Sequence, residues 1–167
     1  MVNIMMGPEG SGKTKLLINA INNSVKHETG SMVCIENGNA LRFDVDHRVR
    51  LIDASEYASG SYTFLRGFLS GLHAGNFDIT HIFVDNLYKI ARSKDPVETE
   101  NFLDWCSLFS AEKGVAFTFT IPGEPGDAPD YIARFMGTTA LPSMRPTAVT
   151  AASFRPVISL CAASFSG

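Results

Sequence analysis

A chain of 167 residues is the length of one domain and can bury a sheet on both of its faces. Hydrophobic residues make up 45% and charged residues 19%, which fits a globular α/β protein, and the net charge of −3 argues against a general nucleic-acid or anionic-membrane surface. No stretch approaches the ~18 consecutive apolar residues of a membrane span, and the N-terminus lacks a basic n-region, so neither an anchor nor a signal peptide is expected. Cys34, Cys106 and Cys161 form no C-x-x-C pair. Cys34 falls in an apolar strand run and Cys106 on a helix stripe, so both are expected as reduced core residues of a cytoplasmic protein.

In chain order, Val2 to Met6 reads as a short buried strand, and Gly7-Pro8-Glu9-Gly10-Ser11-Gly12-Lys13-Thr14 follows it. That octapeptide fits G-x-x-x-x-G-K-[ST], the Walker A or P-loop pattern. Lys13 to His27 reads as a helix with Leu17, Ile21 and Val25 on one stripe, beside Leu16 and Ala20. Ser31 to Ile35 is a second strand that ends in the polar turn Glu36-Asn37-Gly38-Asn39. Leu41, Phe43 and Val45 alternate with Arg42, Asp44 and Asp46, which predicts a half-wet strand. Val49 to Ile52 resumes strand character, so residues 41–52 are expected as a hairpin or two short strands. Because Asp44 and Asp46 lie among Arg42, Arg48 and Arg50, an ion-paired exposed hairpin is expected there rather than a nucleic-acid patch.

Ser61 to Ala74 is a helix by the spacing of Phe64, Leu65, Phe68, Leu69 and Leu72, with Gly75 at its C-terminal cap. Thr80 to Val84 is a strand closing on Asp85. Asp95-Pro96-Val97-Glu98 opens a helix with a capping-box pattern, and Gly114 ends it. Val115 to Ile121 is the last strand, and Pro122 to Asp127 is loop. Alternating strands and helices with continuous apolar strand runs predict an α/β fold: a mainly parallel five-stranded sheet with helices on both faces. Residues 1–136 form that domain. From Gly137 onward the chain is rich in Ala, Ser, Thr and Pro, with no acid after Asp130, so residues 137–167 are expected as an irregular tail, disordered or non-native.

The spacing of the glycine stretch follows from chemistry. A polyphosphate needs several backbone N–H groups aimed at one point, and Gly7 and Gly12 are expected to allow the close approach because they carry no Cβ and accept positive φ. Gly7, Pro8, Glu9, Gly10, Ser11, Gly12, Lys13, Thr14 and Lys15 are therefore the candidate nucleotide-binding residues. Lys13 reaches the β and γ phosphates, the Thr14 hydroxyl ligates Mg²⁺, and the helix dipole adds positive potential. Asp85, closing an apolar strand, fits Walker B and is the second candidate Mg²⁺ ligand. Asn86 occupies the position where many P-loop ATPases carry a catalytic Glu. Glu36, leaving the second strand at its C-terminal end, is the remaining candidate to position or activate the attacking water. Lys13, Glu36 and Asp85 are thus the candidate catalytic set, with ATP and Mg²⁺ as the expected ligands.

The order of these elements resembles that of RecA-like ATPases, in which the catalytic Glu follows the second strand as in Val33-Cys34-Ile35-Glu36. A set of small bacterial P-loop proteins, often mislabelled as twitching-motility pilus-retraction ATPases, is more closely similar. That resemblance rests on Gly10 to Lys15, Val33 to Glu36, Asp44 to Leu51, Gly67 to Leu72, Ile82 to Asp85 and Phe117 to Thr120, and covers about residues 1–136. It implies the RecA-like (ASCE) class of P-loop NTPase. Two other readings stay open: a small-molecule or nucleotide kinase, and a nucleotide-gated binding module without significant turnover. The guanine motif N-K-x-D is absent. Arg66 and Arg92 are candidates for arginine fingers in a homo-oligomer, with surface salt bridges as the plainer expectation. The client, a protein or a small molecule, has no signature in the chain.

Overall fold

The computed structural model describes residues 1–57 and 60–137, so the expectation for the tail beyond Gly137 lies outside the described residues. Five strands form one sheet: β1 (Val2–Gly7), β2 (Ser31–Glu36), β3 (Val49–Asp53), β4 (Ile79–Val84) and β5 (Ala116–Pro122). Their spatial order is β1-β5-β4-β2-β3, and every pairing is parallel. The helices are α1 (Lys13–His27), α2 (Tyr62–Gly75), the short α3 (Leu87–Ala91), α4 (Pro96–Lys113) and the single turn α5 (Asp130–Ala133).

Alternation along the strands divides the core into two layers. Cys34 and Phe83 pack with Leu17, Ile21 and Val25 of α1 on one face. Val33, Ile35, Ile82, Val84, Phe117 and Phe119 pack with Leu65 and Leu69 of α2 and Phe102, Leu103 and Cys106 of α4 on the other. Parallel pairing sends all five strand C-termini to one edge of the sheet, and α1, which follows β1, begins at that edge. The glycine loop, Glu36, Asp53 and Asp85 are gathered there by topology alone.

Two helix starts follow their sequence signals. Ser61 accepts from the Phe64 N–H at 3.0 Å to cap α2, and Asp95 accepts from the Glu98 N–H at 2.8 Å to cap α4, with Pro96 at the first helical position. The Glu98 carboxylate does not close the capping box; it accepts instead from Ser93 Oγ at 2.7 Å. Asn86, at φ 55°, caps α3 by accepting from the Lys89 N–H at 3.2 Å.

One expected strand is not a strand. Residues 41–46 form a turn in which the Val45 N–H donates to the Leu41 carbonyl at 3.2 Å, a helix-like spacing of four. Leu41 and Val45 are buried against α1, while Phe43 is 91% exposed. The alternating apolar pattern was therefore two inward residues one turn apart with an outward one between them. There is no hairpin either, because β3 runs parallel to β2 from Met32–Val49 to Glu36–Asp53. The expected ion pair survives in part: Asp46 binds Arg48 through Arg48 Nη2 at 3.1 Å and Arg48 Nε at 3.1 Å. Those bonds, with the Arg48 backbone N–H, hold the Asp46 carboxyl down to about 2. Cys34 and Cys106 are buried free thiols, as expected.

Candidate functional site

The loop between β1 and α1 owes its shape to two glycines. Gly10 (φ 77°) and Gly12 (φ 85°) lie in the left-handed region, where a side chain is strained. Gly7 does not. A Cβ on Gly7 would sit 2.6 Å from Ser11 Oγ and 3.1 Å from Lys13 Cγ, so Gly7 is needed, as expected, for its missing Cβ, while the positive φ also expected of it is not found. The Ser11 N–H donates to the Pro8 carbonyl at 3.1 Å, and Lys13 Nζ donates to the same carbonyl at 2.7 Å. Pro8, Glu9, Gly10, Ser11, Gly12, Thr14 and Lys15 are exposed, and Lys13 is half-buried.

The start of α1 is chemically unlike the starts of α2, α3 and α4. It has no side-chain cap where they have one, and its first residue is Lys13. The first N–H groups of a helix have no intrahelical partner, and here no side chain supplies one. A cleft of about 670 Å³ opens beside it, lined by Gly10, Gly12, Lys13, Thr14, Lys15, Ile18, Asn19 and Asp44.

Facing this loop is a polar row across the sheet edge. Glu36 and Asp53 are register partners on β2 and β3. Asp85 lies one step beyond the Ile35–Val84 pair, and Thr120 one step beyond the Val84 partner Phe119. Glu36 and Asp85 each follow by two residues a side chain packed against α1, namely Cys34 and Phe83. They therefore share the α1 face of the sheet, at the edge where Thr14 begins the helix.

Asp85 is half-buried and anchored. Its backbone N–H donates to the Ile35 carbonyl at 2.9 Å, and Thr120 Oγ1 donates to its Oδ1 at 2.7 Å. Thr120 Oγ1 also accepts from the Asn86 N–H at 2.7 Å, so one buried hydroxyl fixes both residues of the turn after β4. Thr120 is a site residue that pattern reading missed. Its signal was a hydroxyl on alternate positions of an otherwise apolar strand, Thr118 and Thr120, which strand propensity alone absorbs. Thr120→Val keeps the shape and leaves the Asn86 N–H and one Asp85 oxygen without their partner. We expect a loss of about 1–3 kcal/mol in urea unfolding; an unchanged midpoint would show that water replaces the hydroxyl.

Glu36 is 4% exposed, and both of its carboxylate oxygens accept from the Leu41 N–H, at 3.3 and 3.1 Å. The residue therefore closes the turn 37–41 as well as facing the edge. Burial raises its pKa above the ordinary value, the N–H groups of Leu41 and Ala40 oppose that, and the carboxylates of Asp85 and Asp53 add to it. The Asp53 carboxylate is spent on structure, accepting from the N–H groups of Gly38 and Ser55, both at 2.8 Å.

No protein-family model matches the chain, and no curated protein matches it. The site is known by its own geometry.

Among the described residues, no group of three or more His, Cys, Asp and Glu is placed to hold a metal by itself. Neither Arg66 nor Arg92 of the same chain lines the cleft beside the glycine loop. Arg66 Nη2 donates to the Asn101 carbonyl at 2.7 Å and its guanidinium lies 6.0 Å from the Trp105 ring, tying α2 to α4 without a salt bridge. Arg92 caps the end of α3 at φ 51°. No helix among the described residues is long and apolar enough to cross a membrane.

Proposed function

We propose that this protein is a P-loop ATPase of the RecA-like type, hydrolysing the β–γ anhydride of ATP with Mg²⁺. The observation that carries the reading is the uncapped, basic start of α1 under a loop with two left-handed glycines, set on the same face and edge as Asp85 and Glu36. Free N–H groups, a helix dipole and Lys13 together form an anion cradle of the size a triphosphate needs.

The residues present fit a magnesium ion. The Thr14 hydroxyl and the Asp85 Oδ2, which has no hydrogen bond among the described residues, are hard oxygen donors of the kind Mg²⁺ takes in small number beside phosphate and water. Thr14 and Asp85 would hold such an ion, and the chemistry it would supply is neutralisation of charge building on the phosphate oxygens. Lys13 leaves the Pro8 carbonyl for the β and γ phosphates. Glu36 orients a water and takes its proton as the oxygen attacks phosphorus; the bond to the bridging oxygen breaks, and its electron pair stays with ADP. Asn86 is neutral, and its side chain is occupied in capping α3.

A second reading has one observation in its favour. Beyond Glu36 lies a groove of about 320 Å³ lined by Asn39, Arg42, Arg50, Glu56 and Tyr57, polar enough to seat a phosphoryl acceptor. In a kinase ADP would form only when an acceptor is supplied; in the ATPase it forms without one. A binding module forms none. The reading as an ATPase places the chain in the cytoplasm, where its buried reduced thiols are at home.

The test is calorimetric titration of ATP·Mg²⁺. Lys13→Ala removes a charge-assisted contact of roughly 1.5–3 kcal/mol, so affinity should fall by about ten- to a hundredfold. Equal affinity in the variant, or no binding by the wild type, would end the proposal.

A further inference from the structure

The cleft beside the glycine loop is lined by more than the loop itself. Besides Gly10, Gly12, Lys13 and Thr14, its lining takes in Lys15, Ile18 and Asn19 of α1 and, from outside the helix, Asp44. Asp44 sits on the turn 41–46, and that turn is fixed to α1 in two ways. Leu41 and Val45 are buried with Leu17 and Ile21, and the Asn22 side chain binds the turn at both ends of its amide. Asn22 Nδ2 donates to the Asp44 carbonyl at 2.9 Å, and Asn22 Oδ1 accepts from the Asp46 N–H at 2.9 Å. The backbone of Asp44 is therefore held while its carboxylate projects without a hydrogen bond or ion pair among the described residues. Its neighbour Asp46 is paired with Arg48.

We infer that this cleft is the nucleoside subsite and that Asp44, with Asn19, selects a purine carrying a 6-amino group. The inference rests on the ATPase reading and adds to it the identity of the base and the residues that read it. A carboxylate accepts hydrogen bonds and donates none, so it pairs with an exocyclic amine and repels a carbonyl oxygen. Adenine offers the amine beside a ring nitrogen acceptor, and an asparagine amide supplies the donor for that nitrogen. Half-buried Ile18 lines the same cleft and offers an apolar surface for a ring face. A 6-oxo purine would set its carbonyl against the Asp44 carboxylate and leave that group unpaired, the arrangement by which polar sites reject analogues.

The experiment compares ATP, inosine triphosphate and inorganic tripolyphosphate, each with Mg²⁺, by calorimetry on wild type, Asp44→Ala and Asp44→Asn. ATP and inosine triphosphate carry the same phosphates and differ in the 6-substituent, so their affinity ratio cancels any effect of the Asp44 charge on the phosphates. Wild type should prefer ATP by about tenfold, the value of one charge-assisted hydrogen bond. Asp44→Ala should bring the ratio to about one, and so should Asp44→Asn, whose amide can turn its oxygen toward an amine or its N–H toward a carbonyl. A wild type that binds tripolyphosphate and both nucleotides without preference overturns the base subsite alone. So does an Asp44→Ala variant that keeps the tenfold ratio. Failure of tripolyphosphate and both nucleotides to bind overturns the ATPase reading together with it.

Discussion

Asp85→Asn should lower ATP turnover by about two orders of magnitude or more while leaving the melting temperature of the nucleotide-free protein nearly unchanged. Both halves follow from the hydrogen bonds. Asparagine keeps an oxygen that can accept from Thr120 Oγ1, and the backbone bond from residue 85 to the Ile35 carbonyl does not depend on the side chain. The fold therefore loses little. What disappears is the anionic oxygen on the side away from Thr120, the one that the proposed Mg²⁺ would take. Metal-borne stabilisation of a phosphoryl transition state is worth several kcal/mol, and about 3 kcal/mol is a hundredfold in rate. Binding should weaken only in the presence of Mg²⁺, which a titration with and without EDTA reads directly. A variant that unfolds would make Asp85 a structural residue, and one that turns over normally would remove it from the metal site.

Much of this was legible in the sequence because the long elements state their period plainly. Leu17, Ile21 and Val25 repeat every four residues and all three are buried. The strand runs ending at Glu36 and Asp85 are apolar on both faces because both faces are covered. The errors fall where one pattern serves two geometries. Leu41, Phe43 and Val45 satisfy period two, yet positions 41 and 45 also lie one helical turn apart, and burial against α1 decided for the turn. The five residues of α3 and four of α5 are too few to show a period, and α3 begins at a left-handed Asn86 that no local rule demands. Of the two reasons expected for Gly7, a missing Cβ and a positive φ, only the first holds. A sequence shows that a side chain is missing, while only the coordinates show whether sterics or φ requires it. Side-chain partnerships between distant strands were invisible, as with Thr120 and Asp85, or with Thr118 and His81 Nε2 at 2.9 Å.

Glu36→Gln is the substitution with the largest expected effect, and its outcome depends on separating two jobs. The carboxylate holds the turn 37–41 through the Leu41 N–H and, in the proposed reaction, takes a proton from water. Glutamine retains one acceptor for that N–H but has no basic carboxylate, and losing a positioned general base costs about 10²–10⁴ in rate. Affinity for ATP·Mg²⁺ should change little, because Glu36 does not hold the ground-state phosphates. Burial gives two pH signatures of opposite consequence. A base must be ionised, so single-turnover hydrolysis by wild type should fall as pH drops through a pKa lying above the ordinary Glu value, and this limb should vanish in the variant. For stability, a carboxyl whose pKa is raised by folding contributes most below its unfolded pKa. That contribution is lost as pH rises through the folded one. Wild type should therefore lose stability relative to Glu36→Gln between those two values and hold a constant difference above them. Single-turnover hydrolysis, a binding titration and melting curves across that range give the three readouts. Unchanged hydrolysis would leave Glu36 as the latch of the 37–41 turn and nothing more. A slow variant with intact binding and the predicted pH limb missing would make Glu36 the residue that activates water.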